Sequence, residues 1–453
     1  LIAWGLFWVL VALSIRCFWW GLQKPDRLYQ FPTLFGAAWL FYMVPQAFGA
    51  LNNPSKFPPQ VLHDGGIELA LLMSIICVQA GWLGYHSGAW KRRGLWPSPK
   101  RRVYSHRRLF HAAVLLYVVG LYFQYKLAAL TGGFVAQFTG GGHYGLVWSG
   151  LPVRYVFFGQ LIYPGLLFAL LSFLHRPSAV RGITVAFFSI YPLLTVIFLG
   201  RRSTLVFIIL VILLSLYFMR RWTPPRWTAI GGGVFVFVAI VIMPQYRTIT
   251  QYGIDMEQIR EIQVRSEVAD VFSGTGYAEF DSFIVRAAAV QQDLTFGLGG
   301  SFYNAVVSML VPRQIVGGDV KEALMIRIGS DEDGLWKRYG WVMPYGSNPT
   351  GPANAFTEFW YFGALFYYFA AIIVRRIWEG ALQKENHGMQ IWYVMISILI
   401  PTAVVGSIFI LPGRLITLYL FLTPMLIYAS RRRRLAYRGL PTPPEQNEKF
   451  AEQ

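Results

Sequence analysis

Long apolar runs recur eleven times along the 453 residues, and this repetition limits the fold more than any motif does. The runs lie at 1–15, 31–50, 67–85, 109–129, 155–174, 183–200, 203–219, 228–245, 355–374, 389–409 and 412–430. Most approach the ~20 residues that a helix needs to cross a hydrocarbon core. In lipid, each backbone N–H and C=O must be satisfied inside its own segment, so such runs read as helices. With 55% hydrophobic and only 14% charged residues, the chain has too little polar surface for a soluble protein of this length. The expected fold class is therefore an all-α integral membrane protein with eleven transmembrane helices. The first run lacks a small-residue cleavage site and reads as a span, not a signal peptide. Cys17 and Cys77 fall in or beside apolar segments and read as small buried hydrophobes, not as a disulfide or metal site.

Orientation follows from the basic loops. Segment 86–108, "HSGAWKRRGLWPSPKRRVYSHRR", holds eight Lys and Arg, which assigns it to the cytoplasm. Alternation then places 16–30, 175–182, 220–227, 375–388 and the tail from Arg431 inside as well. Together these segments carry 25 of the 40 basic residues. The net charge of +18 thus reflects topology and does not point to nucleic acid. The expected organisation is spans one to eight over 1–245, a large external loop domain over 246–354, spans nine to eleven over 355–430, and a basic, disordered cytoplasmic tail over 431–453. The external segment, with Glu358, carries 14 of the 22 acidic residues. Within it, "MEQIREIQVRSEVADVF" and "AEFDSFIVRAAAVQQD" read as amphipathic helices between Gly/Pro turns.

Arginine on the outer side runs against the positive-inside bias. "FLGRRSTLVFIIL" puts Arg201 and Arg202 in an outer turn, with Arg265, Arg286 and Arg313 in the large segment and Arg414 at the outer end of the last span. A guanidinium fork pairs bidentately with phosphate or carboxylate, so this set suits a diphosphate. The competing reading is salt bridging with the acidic neighbours, which fits Arg260, Arg327 and Arg338 best because their surroundings are charged. Glu279 and Asp281 in "GYAEFDSFIVRAA" are candidate general bases, and a helix there would put Glu279, Phe283 and Arg286 on one face. The bland alternative is a surface helix with ordinary charge pairs. Glu358, in "NAFTEFWYFG", begins the ninth span, where an acid is costly unless paired or in a wet cavity. "DED" at 331–333 reads as an exposed acidic turn. Neither His63 nor His143 has metal-ligand neighbours, so no metal site is expected.

These features together resemble the bacterial oligosaccharide repeat-unit polymerases, the Wzy-type polymerases of O-antigen, enterobacterial common antigen and related exopolysaccharides. The resemblance rests on whole-chain layout and four local matches. They are "FLGRRSTLVFIIL", "SMLVPRQIVGGDVKEAL", "SNPTGPANAFTEFWYFGALF" and "FILPGRLITLYLF". The doubled Arg201/Arg202 departs from the pattern and leaves open which one fills the family's role. The resemblance implies a GT-C-like membrane glycosyltransferase of the bacterial inner membrane, acting at its periplasmic face without cofactor or metal. The implied donor is a growing glycan on undecaprenyl diphosphate, and the acceptor is a repeat unit on the same carrier. Membrane lipid, a chain-length regulator and a flippase are the implied partners. In that scheme Arg313 joins Glu279 or Asp281 at the catalytic centre, and Arg201, Arg202, Arg265, Arg286 and Arg414 hold the diphosphate. Two other readings stand beside it. An O-antigen ligase would resemble this layout but with a functional histidine in the large loop, and 246–354 has none. A lipid-linked glycan flippase or transporter would be expected to show inverted repeats, which are not evident.

Overall fold

In the computed structural model, the residues described are 1–88, 103–130, 132–139, 153–250, 256–276, 279–311, 313–326, 338–341, 349–383 and 386–431. Among them, eleven helices are long and apolar enough to cross a membrane. In chain order they are α1 (Ile2–Leu22), α2 (Phe31–Asn52), α3 (Gly66–His86), α4 (His106–Leu130), α5 (Tyr155–His175), α6 (Ala179–Ile197), α7 (Arg202–Arg220) and α8 (Arg226–Tyr246), then Gly351–Leu382, His387–Val405 and Ile410–Ala429. Between α8 and the ninth span lie α9 (Val264–Ser273), α10 (Glu279–Asp293), α11 (Gly300–Leu310) and α12 (Arg313–Val316). The last three spans are accordingly α13, α14 and α15. The chain is a multi-pass membrane protein, as the apolar runs indicate. The acidic turn 331–333, His143, Arg327 and the tail beyond Arg431 lie outside the described residues.

The helices run a few residues past the apolar runs where charged side chains find partners. Helix α1 continues through Arg16, whose guanidinium donates to Gln79 at 2.6 Å and lies 4.5 Å from the Trp82 ring centroid. That pairing lets a cation sit on a span without an exposed charge in lipid. A two-residue antiparallel bridge pairs β1 (Val103–Tyr104) with β2 (Ser430–Arg431), tying the start of α4 to the end of α15.

Two irregular spans bear on the site. Helix α2 carries a π-helical turn at Trp39–Met43. Pro45 lies two residues beyond it; it lacks an N–H and its ring crowds the preceding turn, which accounts for the local shift in the ladder. Helix α13 breaks at Trp360, a non-glycine residue with φ of 52°, and continues through a 3-10 turn at Trp360–Ala364. The freed carbonyls at the break are taken up from elsewhere: the Gly297 N–H donates to Thr357 O at 3.1 Å and the Leu298 N–H to Glu358 O at 3.0 Å. The buried ends of α13's first segment are thus satisfied by a turn 60 residues away in sequence.

Helix α10 does not lie on a surface. Eleven of its residues are buried, Phe280, Phe283 and Ile284 among them at 0% exposure. It packs against α2, α3 and α13. At Gly66 the backbones of α3 and α10 come so close that a Cβ would sit 2.8 Å from the Ile284 carbonyl oxygen. The reading of α10 as an exposed amphipathic helix is therefore corrected: the segment between α8 and α13 sends a helix into the bundle.

Candidate functional site

The site forms where three elements meet. The π-helical turn of α2 presents Tyr42 and, one turn on, Gln46. Helix α7 starts at Arg202, after Gly200 in the left-handed region (φ 54°) reverses the chain sharply from α6. Helix α10 starts at Glu279, and its first turn holds both Glu279 and Asp281. Carboxylates are favoured at a helix N-terminus because the free N–H groups and the helix dipole are positive there.

The Arg202 guanidinium pairs with Glu279 Oε1 at 3.0 Å and donates to the Tyr42 hydroxyl at 3.5 Å. Glu279 Oε2 accepts from the Gln46 side-chain amide at 3.3 Å. Gln46 Oε1 in turn accepts from the Phe280 backbone N–H at 3.0 Å, so Gln46 caps α10 from another helix. Asp281, 2% exposed, has its own cation: Lys56 Nζ lies 2.7 Å from Oδ2. Lys56 comes from the 3-10 turn Pro54–Lys56 that follows α2. Two buried carboxylates two residues apart are thus each matched by a cation from a different part of the chain, as burial of charge requires.

More positive charge stands beside this pair. Arg414, the fifth residue of α15, is close enough to Arg201 for their charges to repel, with Tyr163 of α5 also beside it. Arg414 has no carboxylate partner among the described residues. Arg201 precedes Arg202 directly, so the N-terminal ends of α7 and α15 bring Arg201, Arg202 and Arg414 to one neighbourhood. Arg286 lies two turns along α10 from Glu279 and is half-buried.

The other candidates stand apart. Arg313, at the start of α12, is 65% exposed, and its carboxylate neighbour is Glu322 at 4.0 Å. Arg265 is exposed on α9. Arg338 pairs with Asp293 at 2.5 Å, the structural role its charged surroundings suggested. Glu358 is fully buried just before the break in α13, where its Oε2 accepts from the Gly299 N–H at 2.6 Å. No ion pair joins it to an arginine among the described residues. Among the described residues no three His, Cys, Asp or Glu side chains are placed to hold a metal ion.

Sequence reasoning overlooked Tyr42 and Gln46. A glutamine next to a proline inside an apolar run was a usable signal, because a polar side chain there needs a partner. The family models, the curated proteins and the solved structures contain no match to this chain.

Proposed function

We propose that this protein is a polysaccharide polymerase. It moves a growing glycan from undecaprenyl diphosphate onto a lipid-linked repeat unit, at the periplasmic face of a bacterial inner membrane, on a GT-C-like scaffold. The observation that carries the reading is the buried Arg202–Glu279 pair with Arg201 and Arg414 beside it. It couples a base to a diphosphate site at the end of the bundle away from the basic loops.

In this reading the acceptor hydroxyl attacks the donor's anomeric carbon. The bond from that carbon to the diphosphate oxygen breaks, and undecaprenyl diphosphate leaves with the electron pair. Arg201, Arg202 and Arg414 neutralise the charge that develops on the leaving group. The diphosphate competes with Glu279 for Arg202, so substrate arrival frees the Glu279 carboxylate to take the hydroxyl proton. Asp281, held by Lys56, fixes the first turn of α10 from which Glu279 projects.

The test is polymerisation of a lipid-linked repeat by the purified, reconstituted protein. Each single alanine variant at Arg201, Arg202 and Arg414 is expected to lose roughly ten- to hundredfold in rate, the size of one charge-assisted contact made in the transition state. Near-normal rates for all three would remove the reading. Transfer to a lipid A core acceptor in place of chain growth would make the protein a ligase.

A further inference from the structure

At the opposite end of the bundle lies a cavity of about 410 Å³ that the reading above does not use. Gln30, at the start of α2, forms part of its wall. Gln46 of the outer site lies 16 residues further along the same helix, so the two places are about 24 Å apart at 1.5 Å per residue. This is the end that the basic loops assign to the cytoplasm.

The floor of the cavity is a polar triad of buried Gln30 and Tyr85 with partly buried Arg375. The Tyr85 hydroxyl donates to Gln30 Oε1 at 2.5 Å, and Arg375 donates to the same oxygen at 3.2 Å and to the Tyr85 hydroxyl at 2.9 Å. Glu379 pairs with Arg375. The rim is charged differently. Arg27 stacks its guanidinium 4.5 Å over the Trp20 ring and donates to Gln23 Oε1 at 2.9 Å. Lys24 has no side-chain hydrogen bond or ion pair among the described residues. Asp26, the one carboxylate in the lining, accepts from the Tyr217 hydroxyl at 3.3 Å. A positive rim above a hydrogen-bonding floor is complementary to a phosphate ester.

The surroundings favour a lipid as its carrier. Trp19, 60% exposed, Trp20 and Trp82 sit near the ends of α1 and α3 at one level. Tryptophans concentrate at the headgroup depth of a bilayer. The cytoplasmic leaflet carries the anionic lipids.

We propose that this cavity binds the phosphate headgroup of an anionic phospholipid of the cytoplasmic leaflet, with Lys24 and Arg27 supplying the selectivity for negative charge. This inference is independent of the polymerase reading. The test is native mass spectrometry of the detergent-purified full chain, titrated with dioleoyl phosphatidylglycerol, dioleoyl phosphatidylcholine or inorganic phosphate. Lys24→Gln and Arg27→Gln are the informative changes, because both residues lie on the rim and neither holds the polar triad; thermal melting checks that the variants fold. The expected result is tighter retention of one phosphatidylglycerol than of phosphatidylcholine. That preference should fall about fivefold for each charge removed, and roughly thirtyfold in the double variant. Displacement of phosphatidylglycerol by millimolar inorganic phosphate, lost in the double variant, would keep the phosphate site but overturn the lipid as its ligand. Equal retention of the two lipids, or a preference unchanged in a folded double variant, would overturn the proposal.

Discussion

Arg202 and Glu279 meet where neither is well hydrated, at 24% and 9% side-chain exposure. Removing one partner of such a pair strands the other, at a cost of about 3–5 kcal/mol, whereas replacing both with apolar side chains of similar size is often near neutral. This difference separates folding from chemistry. Arg202→Ala is expected to lower thermal stability clearly, while Arg202→Met combined with Glu279→Leu should melt close to the parent protein and still make no polymer. A double variant that polymerises normally would take the pair out of the reaction. Arg202→Lys should recover only part of the rate, because an ammonium lacks the fork. Arg313→Ala, at a 65% exposed position with a surface pair worth about 0–1 kcal/mol, should leave stability unchanged. At this scale the sequence pointed to Arg202, Glu279 and Asp281 as residues able to do chemistry. It could not say that Glu279 would meet Arg202 while Asp281 met Lys56, because 77 and 225 positions separate those partners.

The spans were legible because apolar length is a local property, and the irregular elements were not. The π-helical turn of α2 follows from Pro45 and was open to a careful reader. The break in α13 was not, because the backbone groups that stabilise it come from the turn at 297–299. The burial of α10 was hidden for a related reason: its charges suggest an exposed helix until their partners on α2, α7 and the Pro54–Lys56 turn are known. Close helix packing offers a test at this scale. A Cβ at Gly84 of α3 would lie 2.2 Å from the Tyr368 carbonyl oxygen of α13, whereas one at Gly5 of α1 would have nothing within 4 Å. Gly84→Val should force α3 and α13 apart and lower the melting temperature by several degrees, consistent with about 1–3 kcal/mol for overpacking. Gly5→Ala should leave it unchanged. Equal melting of the two variants would mean that the α3–α13 contact is looser than described.

For the whole molecule, the charge bias of the loops predicts a direction that the helices alone do not. Cys17 and Cys77 are both fully buried, so they should give little labelling background. Ser266 on α9 and Ser178 before α6 are both exposed. With a membrane-impermeant thiol reagent on intact cells, Ser266→Cys should label and Ser178→Cys should not; the reverse pattern would invert the topology and move the Arg202–Glu279 site to the cytoplasm. The position of α10 also bears on how the protein is made. Its 15 residues carry four charges and reach only about 22 Å as a helix, short of the ~30 Å that insertion as a span requires. The insertion machinery should therefore pass it across as a loop. Its seat is formed partly by α13, which is synthesised later, so α10 can dock only after the ninth span has entered the bilayer. Ala288 is fully buried in the finished protein. In nascent chains stalled with residue 340 just emerged, a cysteine at position 288 should react freely, and in chains extended past residue 430 it should be protected. Equal protection at both lengths would mean that α2 and α3 hold α10 without help from α13.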